Sequence, residues 1–313
     1  MSKNFAFVFP GQGSQSVGML DAWGDHPEVV RTLAEASAAL GEDIGALIKN
    51  GPKEQLDLTT NTQPVMLTAG VANYRAWIAE TGLVPSAAAG HSLGEYTALV
   101  AAGALSLSDA LPLVRFRAQA MQDAVPVGTG AMSAILGLDA AVVREVCQQV
   151  AAASGEVVEA VNFNDPKQTV IAGSKAGVEK ANEALKAAGA KRALPLPVSA
   201  PFHSSLMKPA ADRLREKLAA VAFQPAAFPV INNIDVAVTD DVEALRDALF
   251  RQAFGPVRWV EVVQALKARG LSTVIECGPG KVLAGMAKRI DAELASATVL
   301  DPASLVEAKA LLA

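Results

Sequence analysis

The sequence predicts an α/β protein: a parallel sheet covered by helices, carrying a small inserted subdomain of βαββαβ order. Three observations predict it. A small-residue strand, "SAAAG", runs into Gly90-His91-Ser92-Leu93-Gly94, the G-x-S-x-G spacing of a strand-to-helix elbow. From Ala131 onward, the order strand, helix, strand, strand, helix, strand fits into roughly seventy residues, the split unit of ferredoxin-like folds. Beyond that unit, helices and strands alternate again, as a covered parallel sheet requires.

Taken in order, "NFAFVFP" reads as a buried strand ended by Pro10 and the glycines of "GQGSQ", with helical and loop segments to about Lys49. Residues 64–80 carry a helical apolar period with Pro64 at the start. "SAAAG" leads through the elbow into the buried helix "EYTALVAAGAL". A further helix runs through "LSDALPLVRFRAQAMQDAV", with Ser108 as its expected cap and "PVGTG" closing the segment. The insert comprises strand "AMSAILGL", helix "DAAVVREVCQQVAAAS", strands "VVEAVNF" and "QTVIAGS", helix "KAGVEKANEALKAAG" and strand "KRALPLP". Its expected limits are residues 128–196, between segments 1–127 and 197–313 of the larger unit. The chain then continues with helix "PAADRLREKLAAVAF", strand "FPVINNI", a helix about "DALFRQAF", helix "WVEVVQALKARG" and strand "STVIECGPG".

Composition excludes several classes. With 313 residues, 51% hydrophobic and 19% charged, the chain can bury a large core and does not have the polar balance of a disordered chain. A net charge of -5 and no clustered Lys/Arg run argue against nucleic acid as a partner. Two cysteines, Cys147 and Cys277, are too few for a disulfide framework and lack metal-ligand spacing, which fits a reducing compartment. The start, "MSKNFAFVFPGQG", has one lysine before an apolar run too short for a signal h-region or a membrane span, so no membrane association and a cytoplasmic location are expected.

Ser92 has two local readings. Followed three residues later by Glu95, it fits a capping box, in which serine and glutamate satisfy the first turn of a helix reciprocally. As the centre of G-x-S-x-G it is instead an exposed nucleophile, and a serine nucleophile needs a base. Of the three histidines, His91 adjoins Ser92 at a turn where neighbouring side chains diverge, and His26 sits in a polar stretch suited to capping or solvent. His203, in "LPVSAPFHSSLMKPA" between a strand and a helix, is the remaining candidate. No acid between Ser92 and His203 stands at a main-sheet strand end, so a triad carboxylate is not evident; a backbone carbonyl could hold the imidazole tautomer instead. Leu93 N–H follows the nucleophile and offers one oxyanion donor, and the glycines of "PGQGSQ" make that loop the best source of a second. "PGQGSQ" is not a dinucleotide fingerprint, which would need glycine at Ser16, and "CGPGKVL" lacks the P-loop pattern and reads as a strand-to-helix turn.

Together, "FVFPGQGSQ", "GHSLGEYTALVAAGAL", "RFRAQAMQDAVPVGTGAM", "VNFNDPKQTVIAG", "KRALPLPVSAPFHSSLMKPA" and "ECGPGKVL" resemble the malonyl-CoA:acyl carrier protein transacylases of bacterial fatty acid synthesis, over nearly the whole chain. The resemblance implies an α/β-hydrolase-like large subdomain with a ferredoxin-like insert. It implies Ser92 as nucleophile, His203 as base, the main-chain carbonyl of Gln252 as the group that holds His203, and the N–H groups of Gln12 and Leu93 as oxyanion donors. Arg117, which on helical pattern alone reads as a surface or snorkelling residue, corresponds by resemblance to the arginine that grips the substrate carboxylate. Phe202 resembles the malonyl-selecting version of its loop, whereas Asn162 and Asn164 are read as finishing a strand. The implied partners are malonyl-CoA and acyl carrier protein, with coenzyme A and the phosphopantetheine arm as substrates, no separate cofactor or metal, and a monomeric enzyme. Lys191, Arg192, Lys208, Lys281, Lys288 and Arg289 are candidates for a basic patch facing the acidic carrier. A thioesterase or esterase built on the same elbow, a transferase of another acyl unit, and a non-catalytic module with Ser92 as a cap are the competing readings.

Overall fold

In the computed structural model, which describes residues 4–198 and 200–313, strand β1 (Phe5–Phe9) is apolar throughout, yet its side chains divide between two cores. Phe5, Phe7 and Phe9 join one cluster; Ala6 and Val8 join another on the opposite face. A strand buried on both faces has no need to alternate polar and apolar residues. Lys3, part of the leader reading, and Ser199, in the loop before His203, lie outside the described residues.

The amino-terminal part continues with α1 (Pro27–Leu40), α2 (Ile44–Asn50), α3 (Lys53–Leu56), α4 (Thr59–Thr81), β2 (Ala87–Gly90), α5 (Gly94–Ala101) and α6 (Leu107–Asp123). Two details differ from expectation. The helix expected from Pro64 begins at Thr59, with Pro64 inside it. Ser106, rather than Ser108, caps α6, accepting from the Asp109 N–H at 3.0 Å. His26 caps α1 through its ring, consistent with the capping reading.

Next come β3 (Gly130–Leu136), α7 (Ala140–Ser154), β4 (Val158–Asp165), β5 (Gln168–Ser174), α8 (Lys175–Ala187) and β6 (Arg192–Pro195). They make a separate antiparallel sheet of order β4-β5-β3-β6, with its own core around Ile135, Val143, Ile171 and Leu185. This is the βαββαβ unit read from the sequence. The chain returns through α9 (Lys208–Ala220), β7 (Val230–Ile231), α10 (Val242–Gln252), α11 (Trp259–Ala268), β8 (Thr273–Cys277), α12 (Val282–Ile290), β9 (Ala295–Val299) and α13 (Pro302–Leu311).

The main sheet has the order β7-β2-β1-β8-β9, and all its neighbours run parallel. Trp77 and Tyr74 of α4 meet Phe7 edge-on, with ring centroids 5.4 and 5.9 Å away, and so seal one face of β1. The central strands are β2, β1 and β8, and β2 delivers the elbow. Strand β7 is shorter than "FPVINNI" because Asn232 and Asn233 leave the ladder: the Asn233 side chain bonds the elbow instead. Both cysteines are buried free thiols. Among the described residues no helix is long and apolar enough to cross a membrane.

Candidate active site

Packing dictates the two elbow glycines. A Cβ on Gly90 would lie 1.8 Å from the carbonyl carbon of Gly94, and one on Gly94 would lie 2.0 Å from the Phe9 oxygen. Only hydrogen fits at either position. The turn places Ser92 in the left-handed region, at φ 52°, a conformation that costs a non-glycine residue on the order of 1–3 kcal/mol and survives where the surroundings enforce it. Here they do: Ser92 N–H donates to Asn233 Oδ1 at 2.7 Å, and Asn233 Nδ2 donates to the Gly90 carbonyl at 2.7 Å. The Asn233 amide thus stands in for one further residue of strand pairing beside β2.

The capping-box reading of Ser92 fails on these contacts. The Glu95 N–H bonds the backbone oxygen of Ser92, at 3.1 Å, and no side chain caps α5. The Ser92 hydroxyl instead meets His203 Nε2 at 2.7 Å. Glu95 likewise turns away from the helix start, accepting through Oε2 from Asn233 N–H and from Gln252 Nε2.

His203 lies between β6 and the short 3-10 turn Ser205–Met207 that leads into α9, and it too is left-handed, at φ 66°. Its Nδ1 donates to the Gln252 carbonyl at 2.9 Å, with the Gly255 carbonyl at 3.2 Å. That fixes the tautomer and leaves Nε2 as an acceptor facing Ser92. Burial, and then the nearby Arg117 charge, push the imidazole down to about 3, so it is neutral at pH 7. An imidazole so held can take the serine proton with no carboxylate behind it.

Arg117 does not lie on the surface; it is 1% exposed, projecting from α6. Nη1 donates to Gln63 Oε1 at 2.9 Å, and Nη2 reaches both Gln252 Oε1, at 3.1 Å, and Ser92 Oγ, at 3.2 Å. The face of Tyr96 lies 5.5 Å from the guanidinium carbon. Gln63 passes the connection on, donating through Nε2 to Gln12 Oε1 at 3.2 Å. No acid forms an ion pair with Arg117 among the described residues, so its charge is available to an incoming anion.

A cavity of about 130 Å³ brings these groups together, lined by Gln12, His91, Ser92, Arg117, Asn162, Phe202 and His203. It shares Gln12, Leu196 and Val198 with an outer cavity of about 510 Å³. The backbone N–H groups of Gln12 and Leu93 have no hydrogen-bond partner among the described residues, the condition an oxyanion donor must meet. His91 is directed away from the dyad, its Nε2 meeting Asn164 Oδ1 at 2.8 Å and its ring lying against Trp259. Asn162 does more than finish β4: it lines the cavity, and its Oδ1 has no partner among the described residues. No group of three His, Cys, Asp or Glu side chains among them is placed to hold a metal ion.

Gln63, Tyr96 and Asn233 were not singled out in the sequence. Gln63 and Tyr96 sit inside apolar helical stretches, where pattern alone marks core, and only the doubled asparagine of "VINNI" offered a signal.

A serine at an elbow after a central strand, with a buried imidazole at its hydroxyl, belongs to the chemistry of acyl transfer, and residues 6–304 match the acyl transferase domain family. The malonyl CoA-acyl carrier protein transacylase of Salmonella typhimurium is 54% identical over 302 residues, which cover 96% of this chain and 97% of that protein. The chain belongs to the malonyl CoA-acyl carrier protein transacylase family. Among solved structures, the acyl-carrier-protein S-malonyltransferase of Burkholderia pseudomallei is 67% identical and superposes with a TM-score of 0.96, over 97% of this chain and 99% of that one. A malonyl-transacylase in complex with a type II PKS acyl-carrier protein is 51% identical, with a TM-score of 0.95, over 97% of this chain and 98% of that one.

Proposed function

We propose that this chain transfers the malonyl group from malonyl-CoA to the phosphopantetheine thiol of acyl carrier protein, through a malonyl ester on Ser92, and so supplies extender units for fatty acid synthesis. The observation that carries this reading is the buried, acid-free Arg117 within 3.2 Å of the hydroxyl that His203 activates. A guanidinium forms planar bidentate pairs with carboxylates, and the free carboxylate is what distinguishes malonyl from acetyl.

Ser92 Oγ attacks the thioester carbonyl while its proton passes to His203 Nε2. The tetrahedral oxyanion rests on the N–H groups of Gln12 and Leu93. The C–S bond breaks, and the proton on His203 goes to the departing CoA sulfur. The second half runs in reverse: the carrier thiol gives its proton to His203, its sulfur attacks the ester, and the proton returns to Ser92 as the C–O bond breaks. The outer cavity, which shares Gln12, Leu196 and Val198 with the inner one, suits the pantetheine arm. Segment 128–196 contributes Met132, Asn162 and Leu196 to the site wall.

Of the basic candidates, Lys208 is paired with Asp212 and Arg289 with Asp165. Lys191, Arg192, Lys281 and Lys288 have no ion-pair partner among the described residues and are the cations left to meet an acidic carrier. The reading includes a monomer acting in the cytoplasm, with no cofactor and no nucleic-acid or membrane partner. Initial rates measured with malonyl-CoA and acyl carrier protein both varied test it. Parallel double-reciprocal lines and transfer outrunning hydrolysis are expected; intersecting lines, or water as the preferred acceptor, overturn it.

A further inference from the structure

Glu95 is 1% exposed, lies outside the cavity that holds the dyad, and has no part in the steps above. It is nevertheless the point where two chains of hydrogen bonds meet. One runs from Oε2 to Gln252 Nε2, at 3.1 Å, and through that amide from Oε1 to Arg117 Nη2, also at 3.1 Å. The other runs from Oε2 to Asn233 N–H, at 2.8 Å, and through that side chain to Ser92 N–H. Gln252 also donates to the Ser92 carbonyl at 2.9 Å, and its own carbonyl holds His203.

The orientation of the Gln252 amide follows from this. Its N–H end lies between two acceptors, Glu95 Oε2 and Ser92 O, so its oxygen must face the guanidinium. The buried carboxyl is therefore one amide away from Arg117. An acid in direct contact would pair with the guanidinium and compete with a substrate carboxylate; an acid one amide removed fixes the Arg117 fork without occupying it.

We propose that Glu95 is a positioning residue for acyl-group selection, holding Gln252 so that Arg117 keeps the orientation that favours acyl groups with a free carboxylate. This rests on the malonyl-transfer reading above. What matters is the acceptor at Oε2 rather than the charge. Burial raises the carboxyl to about 7, and a neutral carboxyl still keeps a carbonyl oxygen that accepts both bonds. Beside Glu95 lies a small cavity of about 20 Å³, lined also by Asn232 and Asp241, with room for about one water.

The test compares wild type, Glu95→Gln, Glu95→Ala and Gln252→Leu by the ratio of kcat/KM for malonyl-CoA to that for acetyl-CoA, with transfer to acyl carrier protein as the readout. Wild type must transfer malonyl; if it does not, the functional reading fails before this one is reached. Glu95→Gln keeps an acceptor oxygen, and its ratio is expected within about threefold of wild type, while Glu95→Ala is expected to lose about tenfold or more. Lost stability alone would lower both substrates together and leave the ratio unmoved. Gln252→Leu keeps the carbonyl that holds His203 but breaks the relay, so it should lose the ratio even if Glu95→Ala yields no folded protein. A wild-type ratio in Glu95→Ala or in Gln252→Leu overturns the proposal, as does a loss in Glu95→Gln equal to that in Glu95→Ala.

Discussion

Arg117 Nη2 stands 3.2 Å from the same Ser92 oxygen that lies 2.7 Å from His203 Nε2. One hydroxyl thus touches both the proposed base and the proposed carboxylate clamp. On the proposed reading, selection and activation meet at that oxygen: a substrate carboxylate drawn to Arg117 would orient the acyl group and offset the positive charge that weighs on His203.

Arg117→Ala should abolish the malonyl preference. Truncating one partner of a buried, hydrogen-bonded charge pair costs about 2–5 kcal/mol, so kcat/KM for malonyl-CoA should drop by about thirtyfold or more while that for acetyl-CoA changes far less. Arg117→Lys keeps the charge but loses the fork, and should fall between the two. Steady-state kinetics on both thioesters reads this out, and an unchanged preference in the alanine variant would remove the clamp.

The pH profile carries the sign of the His203 shift. Burial and Arg117 hold the imidazole at about 3, below its ordinary 6.5, so the base stays unprotonated well into the acid range. The acid limb of kcat/KM is expected well below pH 6.5. In Arg117→Ala, assayed with acetyl-CoA, the limb should move upward, because the second cause of the depression has gone. A limb at 6.5 in wild type contradicts the buried, neutral base.

Gly94→Ala should prevent folding of the elbow, since the added carbon meets Phe9 O at 2.0 Å and β1 is too well packed to retreat. A loss of more than about 4 kcal/mol is expected, read as absence of soluble protein or of a cooperative melt. Ser92→Ala, by contrast, forfeits one hydroxyl and should cost about 1 kcal/mol.

Glu276, at 0% exposure, ties the end of β8 to the start of α12 through the Ala284 N–H, and burial raises its carboxyl to about 7. Its folded value exceeds the unfolded 4.5, so its stabilising contribution is full below that pH and is lost as pH rises through 7. Wild-type stability should therefore decline between pH 4.5 and about 7 and level off above it, and Glu276→Gln should flatten that decline in urea unfolding. Equal slopes for both proteins would refute it.

Much of this was legible in the sequence because it is local. The alternation of strands and helices, the glycine spacing around Ser92 and the βαββαβ run each depend on neighbours along the chain. His203 emerged by elimination among three histidines, since a base must be one of few residue types. Arg117 could not be read from its helix, because burial of a guanidinium depends on Gln63 and Gln252, 54 and 135 residues away. Asn233 and Glu95 were hidden for the same reason: the pairing that holds the elbow spans 138 to 143 residues. At the end of the chain, Asp301 and Ser304 form a capping box for α13 with Pro302 in its first turn, but strand β9 before it is only half-buried and its pattern carries little signal.

The most direct measurement is to mix the protein with malonyl-CoA, quench it in acid and map any adduct by peptide mass spectrometry. A malonyl ester on Ser92 that disappears when acyl carrier protein is added, and never forms in His203→Ala, is the expected result. An adduct on another residue, or malonyl transfer that persists in Ser92→Ala, would contradict a covalent serine intermediate.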